Sequence, residues 1–335
     1  MLNEMQHFPD ELYDAEVTEL VDILDGPTLF HLEGNEKKPL FISTLLHGNE
    51  TTGFLAMQRI LKKYRDVGLP RSISLFLGNI EAASVNQRHL DSQDDYNRIW
   101  PGTRHADSPE KDMMQTVTNI MERRKPFASI DIHNNTGKNP HYACINILNP
   151  HGLELASKFS DIAVYFTSPK GVQSLAFSDF CPSLVLECGQ SADLSGVDHA
   201  ASFIDTVLHM DALGKAGHGD LKLYHTIARV TVPVTISMAD SEQDPGSDIL
   251  LNKELEDMNF RQPEVGTLFA RKLSDKAGML TVTSESNEDI TDEYLDDSDG
   301  DYRIRRPVTL SMFTTNQRAI RQDCVCYFME ELRIG

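Results

Sequence analysis

Two histidines and a glutamate in this chain have the types and spacing that suit a metal ion. The motif HGNE carries His47 and Glu50, and it directly follows the apolar run LFISTLL. A three-residue step across a strand-to-helix turn lets an imidazole and a carboxylate aim at one centre. The segment IDIHNNTG offers His133 just past another apolar run. Imidazole, carboxylate and imidazole form a ligand set typical of hydrolytic zinc, which keeps a fourth position open for water or substrate. Asp131, two residues before His133 on the same strand face, is placed to brace that imidazole. Either motif alone is weak: most HxxE pairs bind nothing, and a lone histidine at a strand end is more often a polar loop residue. The reading rests on both occurring at the ends of buried strands. His31, His105, His209 and His218 have no such context.

Proton transfer needs a further group. SLVLECG puts Glu187 directly after an apolar strand, where a carboxylate is costly unless it is paired or faces a cleft. Burial raises a carboxyl pKa towards neutrality, which suits a group that takes a proton and returns it. A polar strand-end residue is the equal alternative. The stretch NIEAASVNQRHLDSQDDYNRIWPG holds Arg88, Asn97 and Arg98. Arginine grips carboxylates through two parallel hydrogen bonds, so these residues suggest an anion pocket. Surface arginines paired with Asp91, Asp94 and Asp95 are the competing reading. Trp100, the single tryptophan, is read as packing.

The elements that must position these residues can also be read. Leu40–Leu46 and Ser72–Ile80 are continuous apolar runs suited to strands buried on both faces. Between them, Phe54, Leu55, Met57, Ile60 and Leu61 repeat at helical spacing over Thr52–Tyr64. Ser108-Pro109-Glu110 reads as an N-cap with proline at the first helical position, opening a helix that ends near Arg124. Further strands are expected at Ala128–Ile132, Tyr142–Leu148 and Ser183–Leu186, and helices at Gly152–Ser160 and Val197–Leu213. Alternation of this kind argues for an α/β layer fold with a mostly parallel or mixed sheet. After Gly214–Gly219 short β-rich pieces dominate. The expected organisation is therefore an α/β domain over 1–214 and a smaller β-rich domain over 215–335. The acidic stretch Ser284–Asp301 is expected to be a solvated loop. It fails the EF-hand pattern, because Gly300 as the sixth position would put Leu295 first and Arg306 twelfth.

Composition narrows the partners. The 335 residues are 40% apolar, enough for a sizeable core, and the net charge is -20. Such a surface repels nucleic acid and anionic lipid, so neither is an expected partner. An acidic N-terminus without an apolar core, no apolar run of membrane-spanning length, and five cysteines without CxxC spacing read as a reduced, cytoplasmic chain.

Taken in order, HGNE-T-G, the NxR-like and DxNRxxPG pieces, DIH and LECG resemble the succinylglutamate desuccinylase/aspartoacylase family, relatives of the zinc carboxypeptidases of the M14 type. The match runs from about residue 39 to 190. The resemblance implies a three-layer α/β/α zinc-peptidase-like domain with a mixed sheet, followed by a β domain that shapes the substrate pocket. It implies one zinc ion on His47, Glu50 and His133, and Glu187 as the catalytic glutamate. It further implies Arg88 as the arginine that polarises the scissile carbonyl, and Asn97 and Arg98 as the pair that grips a substrate carboxylate. The Arg88–Asn97 segment is two residues longer than the family's usual R-Y-x-D-x-D-L-N, with Tyr96 for its leucine. NNTGKNPH after His133 differs from the loops of either named activity, which leaves the acyl group open.

The function expected is zinc-dependent hydrolysis of an amide bond in an N-acyl amino acid or similar small anionic substrate. A metallocarboxypeptidase acting on short or cell-wall peptides would use the same site. A non-catalytic binder with the same fold is the third reading, against which the presence of all four site elements speaks. The oligomeric state is not legible.

Overall fold

The computed structural model describes residues 2–333 apart from 192, 215, 216, 218, 245, 298 and 299. Contacts divide the chain into two compact units: Met1–Asn134 with His141–Lys222, and Asn135–Pro140 with Leu223–Gly335.

The first unit is built on a mixed sheet. Its strands are β1 (Asn3–Met5), β2 (Thr28–Leu32), β3 (Gly34–Thr44), β4 (Leu69–Leu77), β5 (Ala128–His133), β6 (Tyr142–Ile145), β7 (Ile162–Tyr165) and β8 (Ser183–Glu187). They lie in the order β1-β2-β4-β3-β5-β8-β6-β7. The central neighbours β4, β3, β5 and β8 are mutually parallel, whereas β2 meets β4 and β6 meets β8 antiparallel. The carboxyl ends of β3, β5 and β8 therefore share one sheet edge, the edge at which open α/β sheets bind ligands.

Helices in chain order are α1 (Leu20–Ile23), α2 (Thr52–Tyr64), α3 (Ile80–Ser84), α4 (Pro109–Arg124), α5 (Pro150–Phe159), α6 (Gln173–Phe177) and α7 (Leu194–Leu208). Side chains alternate across a strand, so β3 serves two layers at once. Phe41 stacks on Phe177 of α6 at 4.5 Å and shares a core with Trp100 and with Met114, Val117 and Met121 of α4. On the opposite face Gly53 of α2 lies so close to Thr44 and Ile132 that an added Cβ would come within 3.0 Å of both. Helices thus cover both faces of the sheet.

Local chemistry explains the boundaries. The Ser108 side chain accepts from Lys111 N–H at the start of α4, and Pro109 follows it. The helix ends on Lys125 at φ 51°, a left-handed cap. α5 starts at Pro150, two residues before the expected Gly152, because Asn149 caps it by accepting from Gly152 N–H. α7 begins at Leu194 and ends at Leu208, earlier at both ends than expected, with Asp193 accepting from Ser195 N–H.

The second unit holds two antiparallel sheets. One orders β12 (Thr281–Ser284), β9 (Lys222–Thr231), β16 (Cys326–Leu332) and β15 (Thr309–Ser311). The other orders β10 (Ile249–Leu251), β11 (Leu268–Lys272), β14 (Asp301–Ile304) and β13 (Leu295–Asp296). Phe269 packs edge-on against Phe313 and Phe328 in its core. The segment Asn135–Pro140 is built into this unit. Asn259 donates to Lys138 O at 3.1 Å, and Met312 N–H donates to Asn139 Oδ1 at 2.9 Å. A Cβ on Gly137 would stand 2.2 Å from Phe313 O, so only glycine fits there.

The acidic stretch Ser284–Asp301 is not simply a solvated loop. It contains a helical turn, Thr291–Tyr294, and β13, and it buries Tyr294 and Leu295 in the second unit's core. Two apolar side chains among the carboxylates are enough to fix it, while most of its acidic residues stay in water. Its Ser298 and Asp299, like Lys215, Ala216 and His218 near the expected domain boundary, lie outside the described residues.

Candidate metal centre and active site

The HGNE turn leaves β3 through Leu45, at φ 55°, and folds back so that Glu50 N–H donates to His47 O at 3.1 Å. Gly48 packs against α3, where a Cβ would meet Ala83 N at 2.2 Å. This closed turn aims His47 and Glu50 together, and β5 brings His133 to them. His47 Nδ1 lies 2.8 Å from Glu50 Oε1, and His133 Nδ1 lies 2.7 Å from Glu50 Oε2. One ligand atom from each of the three residues falls within 4.8 Å of the others, and all three side chains are buried. Among the described residues this is the one cluster of three or more histidine, cysteine or acidic side chains able to hold a metal ion.

The outward ring nitrogens are also fixed. His133 Nε2 lies 2.8 Å from Asp131 Oδ2, and Asp131, fully buried, accepts from Ser43 on the adjacent strand at 2.7 Å. His47 Nε2 lies 3.1 Å from Asp95 Oδ1. With an ion bound between them, each Nδ1 would face the centre and each Nε2–H could donate to its outer carboxylate, which can only accept. A histidine that binds metal through one nitrogen and donates the other N–H to a carboxylate is the usual arrangement of a metal site. The donor set and its bracing therefore fit a divalent ion. Without one, burial favours neutral Glu50, but the charge of His47 and His133 outweighs it and holds the carboxyl well below the usual carboxylate range. Burial disfavours the His133 cation, yet Asp131 and Glu50 overcome it and push that imidazole well above its ordinary value.

Arg88 stands beside this cluster. Its Nε and Nη2 donate to Asp95 Oδ2 at 3.1 and 2.9 Å, and its Nη1 faces Glu50 Oε1 at 3.8 Å. Asn97 is buried; its Nδ2 lies 3.2 Å from His133 Nε2, and its Oδ1 accepts from Gln173 N–H at 3.1 Å. Arg98 is half-buried and bonds through Nη1 to Asn97 O at 2.9 Å. Glu187 ends β8 and pairs in register with His133, so their Cα atoms are neighbours across the ladder. Cys188 N–H donates to His133 O at 2.9 Å and locks that register. His47, Glu50, His133, Glu187, Arg88, Asn97 and Arg98 all belong to the first unit, and Arg88 and Asn97 reach the cluster itself, at 3.8 Å from Glu50 and 3.2 Å from His133.

Two further residues organise the site. Asp95 touches His47 and Arg88 and accepts from Asn97 N–H at 2.8 Å; the sequence reading includes it in the DxNRxxPG piece but gives it no role beyond that of a candidate partner for surface arginines. Asn134 donates its backbone N–H to Glu50 Oε2 at 3.1 Å, and its side-chain amide donates to Thr52 Oγ1 and Gly189 O. Its place directly after a strand-end histidine is the only signal the sequence gives.

Residues 36–196 match the sequence profile of the succinylglutamate desuccinylase/aspartoacylase catalytic domain. Over that stretch the chain is similar to a desuccinylase/aspartoacylase catalytic domain. The fold agrees. Succinylglutamate desuccinylase from Chromobacterium violaceum superposes with a TM-score of 0.57 at 14% identity, covering 89% of this chain and 86% of that one. Murine aminoacylase 3 gives 0.58 at 16% identity over 90% and 97%. The product-bound ectoine utilization protein EutE (DoeB) from Ruegeria pomeroyi gives 0.55 at 12% identity over 91% and 88%. No curated protein matches the chain by sequence. No helix among the described residues is long and apolar enough to cross a membrane. The matched stretch contains every candidate site residue read from the sequence.

Proposed function

We propose that this protein is a zinc-dependent deacylase that hydrolyses the amide bond of an N-acyl amino acid or a similar small carboxylate-bearing substrate. The observation that carries the reading is the convergence of His47 Nδ1, Glu50 and His133 Nδ1 within 4.8 Å, at the ends of adjacent strands of a family catalytic domain. Zinc held there would act as a Lewis acid and make water a nucleophile near neutral pH.

The protein's own groups supply the remaining steps. Glu187 takes the proton of the attacking water and later delivers it to the departing amine. Arg88 offers Nη1–H to the carbonyl oxygen as it gains negative charge, because Asp95 occupies the other edge of the guanidinium. Arg98 provides a planar fork for the substrate carboxylate. Asn97, whose oxygen is taken by Gln173 N–H, adds its amide N–H.

The test is to add zinc to metal-stripped protein and screen N-acetyl, N-succinyl and other N-acyl amino acids beside tripeptides. The expected result is one zinc per chain and release of an amino acid from an N-acyl substrate. Turnover of tripeptides alone would make the protein a carboxypeptidase. Unaltered zinc stoichiometry after His47→Ala with His133→Ala would remove the reading.

A further inference from the structure

We infer that Asp95 is a positioning residue that couples the metal ligand His47 to the carbonyl-facing Arg88, so that the metal centre and the oxyanion donor are held by a single carboxylate. The inference rests on the deacylase reading above. Its ground is the division of labour between the two oxygens. Oδ1 takes His47 Nε2 at 3.1 Å and Asn97 N–H at 2.8 Å. Oδ2 takes both Arg88 Nε at 3.1 Å and Arg88 Nη2 at 2.9 Å. The carboxylate is 10% exposed and Arg88 16%, so water competes little for either.

Geometry makes this more than an ion pair. Two donors on one edge of a rigid guanidinium, bonded to a buried oxygen, fix the plane of the group. With Nε and Nη2 so held, the opposite corner, Nη1, has one direction to face, and it faces the Glu50 side of the metal cluster at 3.8 Å. The Asn97 N–H bond sets the backbone from which Asn97 and Arg98 project. Asp95 thereby sets the His47 ring orientation, the Arg88 orientation and the start of the carboxylate-gripping pair. A charge-preserving substitution elsewhere could replace one of these roles but not all three. The longer Arg88–Asn97 segment is closed on itself by this clamp, with Arg98 N–H bonded to Asp95 O at 2.9 Å.

The experiment uses the full chain. Zinc affinity is measured on stripped protein by competition with a chromophoric chelator. Turnover is measured at saturating zinc with the best N-acyl amino acid from the screen. Variants are Asp95→Asn, Arg88→Ala and the double variant. Asp95→Asn keeps the shape but turns the Arg88-facing oxygen into a donor or breaks the His47 contact. It should weaken zinc binding about 10- to 100-fold, the usual loss for a partner of a metal-binding histidine, and lower kcat. Arg88→Ala should leave zinc affinity within about threefold while lowering kcat. In the double variant the zinc loss should persist, and kcat should fall by less than the product of the two single losses, because part of the Asp95→Asn loss acts through Arg88. Full zinc affinity in Asp95→Asn, or kcat losses that multiply, would overturn the inference. Should Asp95→Asn fail to fold, Asp95→Ser gives the same two readings. Wild type that binds no zinc would defeat the deacylase reading instead, a result separable from every variant comparison.

Discussion

His47, Glu50 and His133 would lose their purpose singly, because the centre needs all three. His133→Ala is expected to lower zinc occupancy from one per chain to near zero, as read by metal analysis after dialysis. Glu187→Gln should keep the zinc and lose about 10²–10⁴-fold in kcat, the range for a general acid–base group; loss of zinc in that variant would make Glu187 a ligand. His47, His133 and Glu187 could be singled out because each stands at the end of an apolar run, where a polar side chain needs a reason, and Glu50 because it follows His47 by three residues. Asp95 opens the DxNRxxPG piece, but its role was not legible, since DSQDD reads as solvated acid and no local periodicity shows that this carboxylate turns inward. Burial of Asp95 against Arg88 and His47 is a tertiary fact. Away from the site, the Asp248 carboxyl accepts from Lys276, Ser237 and Ser274. These bonds, Lys276 first, hold it well below the usual carboxylate range. A depressed folded-state value means stability is present above the unfolded value, near 4, and is lost as pH falls towards the folded one. Asp248→Asn should therefore flatten the acid limb of the stability curve measured by denaturant titration between about pH 5 and 2.

At the scale of elements, α2 was readable from its apolar spacing and α4 from its Ser108-Pro109 start, where Ser108 caps the helix; Thr51 makes no side-chain cap bond at α2. β2 was not anticipated, although all five of its residues are buried. Its stretch TLFHL is short, holds a histidine and shows no alternation, so periodicity is silent there. Lys125 gives a test of cap chemistry. A lysine at φ 51° carries strain that glycine lacks, so Lys125→Gly should stabilise the protein by up to about 1 kcal/mol in thermal melts. Asn134 tests the joints between elements. Its amide ties the first turn of α2 to Gly189, two residues beyond Glu187. Asn134→Ala leaves those groups unpaired and should cost about 1–3 kcal/mol. A melt unchanged by the substitution would show that the joint contributes nothing.

For the molecule as a whole, the charge of -20 and the carboxylate-bearing substrate proposed above pull against each other. Arg88 and Arg98 form a local exception in an acidic chain, and a local exception is what a short sequence window can show. Zinc should raise the melting temperature in proportion to the logarithm of its concentration, with about 2.7 kcal/mol gained at 100 times Kd. The linear order of residues conceals one thing about this architecture: two positions after the last histidine of the centre, the chain crosses into the other unit for six residues. Gly137 and Asn139 are seated there by Phe313, Asn259 and Met312, all supplied from far downstream. A stop codon after Lys222 would therefore not release a self-sufficient catalytic half. It would leave a hexapeptide cut off from its socket, tethered to His133, and the gene could shed its last third only by redesigning the loop beside that histidine.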